Sequence, residues 1–174
     1  MDNSRVVYRK TTDTHVVEAT TPEAYEAARQ LMIEYMDMVL GEDCATAGGG
    51  IEAELANYPA SYMPPHHLLF VSYQAQLPCG VIALKPISAE SAEIKRLYVR
   101  PSARGHGVAE ALMRRLMDVA KQGGHHTLYL DSLHRFAPAQ RLYEKLGFTY
   151  CEPYDPNTTE AMRDAMVFMR CELV

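Results

Sequence analysis

Apolar and polar positions along this chain follow two periods, one helical and one of two residues, and their succession predicts the elements. Thr14 to Ala19 reads as a short strand. Thr20-Thr21-Pro22-Glu23 then reads as a helix start, with a Thr cap, Pro in the first turn and an acid near the positive helix end. Tyr25, Ala28, Leu31, Met32, Tyr35 and Val39 fall on one stripe of that helix, which ends before Gly41. Gly48-Gly49-Gly50 breaks the chain, and Ile51 to Tyr58 fits a second, shorter helix before the Pro-rich segment NYPASYMPP.

His67 to Tyr73 and Cys79 to Leu84, separated by QAQLP, read as a hairpin. Ala92 to Val99 is the next strand, Val108 to Gln122 a helix and Thr127 to Asp131 a strand. In that helix Val108, Leu112, Leu116, Val119 and Ala120 make the buried face, and Gly123-Gly124 supplies the stop. Pro138 to Leu146 is a short helix ended by Gly147, and Phe148 to Cys151 a strand. After a polar excursion, Ala165 to Leu173 closes the chain as a strand. The order β-α-α-β-β-β-α-β-α-β-β combines hairpins with βαβ crossovers, which implies an α/β (α+β) domain with a mixed sheet and helices packed on it.

Composition narrows the class. At 174 residues and 48% hydrophobic, the chain holds enough apolar material for one domain, and no repeat or long linker divides it. Residues 1–12 are polar and are expected to form a loosely attached arm, leaving 13–174 as the domain. The longest apolar run is five residues, Ala165 to Met169, so no membrane span is expected. The N-terminal stretch lacks the apolar core of a secretory signal, which makes the cytoplasm the expected location.

The net charge of −5 is unevenly spread. Residues 1–84 are net −7, residues 85–121 net +4, and residues 122–174 net −2. An acidic chain is a poor general binder of nucleic acid, yet its basic stretch suits a small anion. Cys44, Cys79, Cys151 and Cys171 form no CxxC and are expected as buried free thiols. The pairs His66-His67 and His125-His126 are adjacent, so neither clamps a metal, and no metal site is expected.

The chemistry concentrates in EIKRLYVRPSARGHGVAEALM, residues 93–113. A strand runs into a loop with Gly105 and Gly107 and then directly into a helix, an arrangement that offers backbone N–H groups and a positive dipole end to an anion. Arg104, with Arg100 nearby, adds forked donors suited to phosphate. A phosphate-binding P-loop is excluded because its Lys and following hydroxyl residue are missing. A dinucleotide fingerprint is half matched by Gly105 and Gly107, with Asp131 imitating its ribose acid, but Glu110 takes the third glycine's place and RPSAR intervenes after the strand.

The string RGHGVA, with Arg104, Gly107 and Ala109, resembles the [RQ]-x-x-G-x-[GA] acyl-CoA loop of the GNAT superfamily of N-acetyltransferases. The preceding AEIKRLYV and the later AQRLYEKLGF, residues 139–148, resemble that family's neighbouring motifs in the expected order. The resemblance covers residues 14–173 and implies a mixed, mostly antiparallel sheet of about six to seven strands with about four helices. It implies that backbone N–H groups of Arg104, Gly105, His106, Gly107, Val108 and Ala109 hold the pyrophosphate of coenzyme A. Leu97, Tyr98 and Val99 would lie along the pantetheine arm as an added strand. That strand is often bulged in the family and splays from its neighbour, here Thr127–Asp131, opening a slot for the thioester. A backbone N–H in the bulge would polarise the thioester carbonyl.

The resemblance also assigns roles. Glu93 stands where many members carry a general base; the other reading is a surface acid paired with Lys95 or Arg96. Tyr143 matches the tyrosine that protonates the departing thiolate; the other reading is core packing with Leu142, Leu146 and Phe148. Phe136, three residues before Ala139, stands where many members place an Asn against the pantetheine, so that contact is replaced by an apolar one. His134 and Arg135 could reach phosphate or stay solvated.

The implied activity is acetyl transfer from acetyl-CoA to a primary amine of a small molecule or peptide, by direct attack with both substrates bound. None of the four Cys falls in a motif for a covalent nucleophile. The alternative is a non-catalytic acyl-CoA-binding sensor. The acceptor is expected against the N-terminal helices and the loop from Glu152 to Asp164, with Glu42, Asp43, Glu52 and Glu54 favouring a cation and Tyr58, Tyr62 and Met63 as an apolar wall. A homodimer is compatible with the family resemblance.

Overall fold

A computed structural model describes residues 14–40, 55–65 and 67–173. Its strands are β1 (Thr14–Glu18), β2 (Leu68–Gln74), β3 (Leu77–Pro86), β4 (Ser91–Val99), β5 (Thr127–Leu133), β6 (Thr149–Tyr150) and β7 (Met166–Glu172). Its helices are α1 (Pro22–Leu40), α2 (Val108–Gln122), α3 (Ala137–Lys145) and α4 (Glu160–Ala165). The strands form one sheet in the order β1-β2-β3-β4-β5-β7-β6. Only the β4–β5 pair is parallel, and this mixed, mostly antiparallel sheet with helices is the fold class the sequence implies.

Two apolar layers hold the sheet. β3 is buried on both faces along Cys79–Leu84, which is why CGVIAL shows no alternation. β2 divides its side chains: Leu69 and Val71 join Ala28, Leu31 and Met32 of α1, whereas Phe70 joins Leu112, Met113 and Leu116 of α2. Gly80 permits the close approach of α2, since a Cβ there would lie 3.0 Å from Leu112 Cδ1 and 2.7 Å from Ser72 Oγ.

The elements differ from expectation where they are short or paired at long range. β5 runs beyond Asp131 because Ser132 and Leu133 pair with Val167 and Met166 of β7. β6 keeps only Thr149 and Tyr150, while Phe148 goes into the core under α2. The polar excursion contains α4, capped by Thr159, whose hydroxyl accepts from Met162 N–H at 3.3 Å; six residues are too few for a periodic signal. The helix expected over Ile51 to Tyr58 lies mostly outside the described residues, as do Cys44 and the arm at 1–12. Among the described residues no helix is long and apolar enough to cross a membrane.

Candidate active site

The site begins where two parallel strands part. β4 and β5 pair from Ser91↔Thr127 to Ile94↔Leu130, and the ladder stops there. On its other edge β4 shifts register against β3, so that Val81 faces Tyr98 but Ala83 faces Lys95. The extra residue is a bulge marked by Arg96, whose φ of 59° is rare for a residue with a side chain. Bulge and splay are what the family resemblance implies for this strand. The gap opens into a cavity of about 1050 Å³ whose wall runs from the bulge to the loop before α2 and across to α3 and α4.

At the loop end, Gly105 and Gly107 adopt φ of 75° and 78°, and a Cβ on either would meet nothing within 4 Å. The loop is therefore an open backbone cradle. Arg104 N–H donates to Pro101 O at 3.3 Å and Ala111 N–H to Gly107 O at 3.0 Å, while the N–H groups of 105–110 between them have no acceptor among the described residues. These free donors at the start of α2 fit a pyrophosphate. Arg104, Gly105, Gly107, Val108 and Ala109 line the cavity; His106 is exposed and outside its wall. Glu110, also on the wall, accepts from Arg114 Nη2 at 2.8 Å and Lys145 Nζ at 2.6 Å, which hold its carboxyl below the usual range and offset its charge beside the cradle.

Leu97, Tyr98 and Val99 form the β4 side of the wall, and Phe136, Ala139, Leu142 and Tyr143 the α3 side. The Tyr143 ring packs 6.1 Å from Phe148 in the core, and the residue also lines the cavity, so packing and exposure to the slot coexist. Burial pushes its hydroxyl far above the ordinary tyrosine range, which leaves a neutral O–H able to donate. Phe136 starts α3 with no side-chain cap and carries Arg135 5.3 Å above its ring.

Two carboxylates stand beside the parting strands. Glu93 is buried, and its Oε1 accepts from Tyr154 O–H at 2.8 Å and lies 3.4 Å from Lys95 Nζ. Tyr154 in turn stacks on Tyr129 at 4.7 Å and meets Phe168 edge-on at 6.0 Å, closing Glu93 off behind the wall. Asp131 lines the cavity, and burial raises its carboxyl above the usual range against the pull of Lys95 and Arg96. Along the chain Asp131 stands out only as an imitation of a ribose acid; its position opposite Lys95 depends on the sheet register and carries no local signal.

Several charged residues are used differently from the sequence reading. Arg100 does not face the cradle: its Nε and Nη2 grip the Glu34 carboxylate at 3.0 and 2.6 Å and its Nη1 donates to Pro78 O at 2.6 Å, tying α1 to the sheet. Arg135 Nη2 donates to Val39 O at 3.3 Å, and Arg104 Nε to Val99 O at 3.0 Å. Tyr58 and Met63 line a separate cavity with Tyr25 and Arg29, and Tyr62 is buried, so the apolar wall of the main cavity comes from Tyr35, Met38 and Val39 instead. Of the loop expected to flank the acceptor, Thr159, Ala161 and Met162 do reach the wall. Glu42, Asp43, Glu52 and Glu54 lie outside the described residues.

Comparisons with known proteins agree with this geometry. The model of the acetyltransferase (GNAT) family matches residues 26–148. An uncharacterised N-acetyltransferase of Schizosaccharomyces pombe is 31% identical over 154 residues, 87% of this chain and 90% of that one. The crystal structure of an aminoglycoside 6'-N-acetyltransferase complexed with coenzyme A superposes with a TM-score of 0.67 at 17% identity, covering 92% of this chain and 97% of that one. A Salmonella typhimurium structure described as an acetyltransferase with its cofactor acetyl-CoA gives 0.68 at 20% identity, covering 93% and 95%.

Proposed function

The chain belongs to the GNAT family of acetyltransferases, and on that premise we propose that it moves an acetyl group from acetyl-CoA to a primary amine of a small molecule or peptide by direct attack. It is an acyltransferase with acetyl-CoA as co-substrate. The observation that carries the acceptor reading is one continuous cavity joining the glycine cradle, the bulged edge of β4, Tyr143 and the Asp131 carboxylate.

In the proposal, backbone N–H groups of Gly105 to Ala109 hold the pyrophosphate, with Arg104 adding charge. The backbone of Leu97, Tyr98 and Val99 lies along the pantetheine, and Phe136 and Ala139 cover its other side with apolar surface. Acetyl-CoA supplies an acetyl thioester, electrophilic at its carbonyl carbon. A backbone N–H at the bulge stabilises charge that develops on the carbonyl oxygen. Tyr143 donates its proton to the leaving sulfur. Among the described residues, Glu93 and Asp131 are carboxylates beside the parted strands and are the candidates to serve the acceptor amine, which needs a free lone pair to attack.

Thiol release from acetyl-CoA, measured across a panel of alkylamines, arylamines, amino acids and peptides, tests the reading. Transfer to at least one primary amine is expected, with Tyr143→Phe binding acetyl-CoA as the parent does and turning over about 10²–10⁴ times more slowly. Tight coenzyme A binding with no transfer to any amine would leave a binding role instead. A Tyr143→Phe variant that acetylates at the parental rate removes the general-acid assignment.

A further inference from the structure

Side chains on the splayed strands can be sorted by face. On β5, Leu128 and Leu130 enter the core under α2, so Tyr129 and Asp131 point to the opposite, α1 face. On β4, Ala92 and Ile94 likewise enter that core, which places Glu93 and Lys95 on the α1 face. The parallel register pairs Glu93 with Tyr129 and ends at Ile94↔Leu130, so the next step would set Lys95 opposite Asp131. At that step the strands have parted, and both residues line the cavity.

The two carboxylates there differ in how they are occupied. Glu93 is engaged by Tyr154 and Lys95 and is absent from the cavity wall. Asp131 is half-buried on the cavity wall and makes no hydrogen bond or ion pair to a described side chain. A half-buried carboxylate left without a partner is costly to the fold, and such groups are kept where chemistry uses them. We propose that Asp131 is the catalytic base of the acetyl transfer: it receives the acceptor's ammonium group in the gap between β4 and β5 and takes its proton. Glu93 acts as a positioning residue, holding Tyr154 and Lys95 around that gap. The inference rests on the acetyltransfer reading above and assigns the amine's place within it.

The proton count closes. The ammonium gives one proton to Asp131, which later releases it to solvent. The freed lone pair forms the new N–C bond as the C–S bond breaks, and the sulfur leaves with that bond's electrons. Tyr143 protonates the sulfur and is itself restored by the proton the amide nitrogen sheds. The groups facing Asp131 are Glu93, Lys95 and Arg96 of β4, Tyr154 and Asp155 of the loop before α4, Tyr143 of α3 and Tyr35 of α1. Burial raises the Asp131 carboxyl above its ordinary value, and the two cations of β4 oppose that rise.

The test compares Asp131→Asn and Glu93→Gln with the parent, using an alkylamine that the parent acetylates and an arylamine from the panel. Asp131→Asn should bind acetyl-CoA normally and lose about 10²–10⁴-fold in kcat/KM for the alkylamine, together with the acid limb of its pH profile. The loss should be far smaller for the arylamine, which arrives already deprotonated; a merely structural Asp131 would affect both acceptors alike. Its thermal midpoint at pH 7 should hold or rise, because the fold holds this carboxyl above its ordinary value and its ionised form at pH 7 therefore lowers native stability. Glu93→Gln should keep the acid limb. If Asp131→Asn misfolds, Asp131→Ala with added formate serves, and partial return of alkylamine turnover is expected. The assignment is overturned if Asp131→Asn retains the parental rate and acid limb, if both acceptors suffer equally, or if Glu93→Gln alone removes the limb. Failure of the parent to acetylate any amine overturns the acetyltransfer reading itself, and the Asp131 role with it.

Discussion

The glycine cradle allows a matched pair of substitutions to separate backbone strain from ligand contact. Gly107 and Gly124 flank α2, with φ of 78° and 87°, and a Cβ on either would meet nothing within 4 Å. Alanine at each site therefore incurs only the left-handed conformation, about 1–2 kcal/mol. Alanine also has less freedom than glycine in the unfolded chain, which returns about 0.4–1 kcal/mol, so each variant should lose about 1 kcal/mol net. For a domain of this size that is about 2–4 °C in the thermal midpoint. The difference lies in what the open space is for. At Gly107 the new methyl would stand where we propose that the pyrophosphate meets the N–H groups of 105–109, whereas Gly124 lies at the far end of the helix.

Coenzyme A at about 100 times its Kd stabilises the native protein by about 2.7 kcal/mol, and a tenfold weaker affinity cuts this to about 1.4 kcal/mol. Thermal melts with and without coenzyme A should therefore show equal apo losses, an unchanged ligand shift for Gly124→Ala and a shift about half as large for Gly107→Ala. Calorimetric titration gives the affinity directly. A Gly107→Ala variant with the parental ligand shift, or a Gly124→Ala variant with a reduced one, would refute the cradle.

Two further substitutions probe the frame around the slot. Glu34→Gln weakens the grip of Arg100 on α1 and should cost about 1 kcal/mol at pH 7, the low end for charge-assisted hydrogen bonds because water still reaches this carboxylate. Arg100 holds the Glu34 carboxyl below its ordinary value, so that stability is present above the glutamate range and is lost as pH falls through the folded value. The gap between parent and variant in urea melts should close on acidification; a constant gap would locate the effect elsewhere. Leu112→Ala empties a fully buried site between α2 and β3 and should cost about 3–5 kcal/mol, seen as a lower urea midpoint with unchanged slope. A loss below about 1.5 kcal/mol would mean that α2 collapses into the space, against the close packing that Gly80 permits.

Features that depend on neighbours along the chain are legible in the sequence. The bounds of Val108–Gln122 follow from a stripe of apolar residues between two glycine signals, and Gly105 and Gly107 mark a cradle because left-handed backbone is a local property. Motif order placed Tyr143 beside the slot for the same reason: α3 is a short, self-contained element following β5. Which charges find partners depends instead on contacts made across the fold. Arg100 looked like a phosphate ligand until Glu34, 66 residues away, took its guanidinium. The bulge at Arg96 runs against its own residue's preference and exists because β3 and the splayed β4 edge impose it. Motif position singles out Glu93 as the base and leaves Asp131 aside; only the end of the β4–β5 ladder and the arrival of Tyr154 from a distant loop close the first off and leave the second facing the cavity. Helix and turn preferences act over a few residues, whereas the pairing of a charge depends on whatever the sheet brings against it.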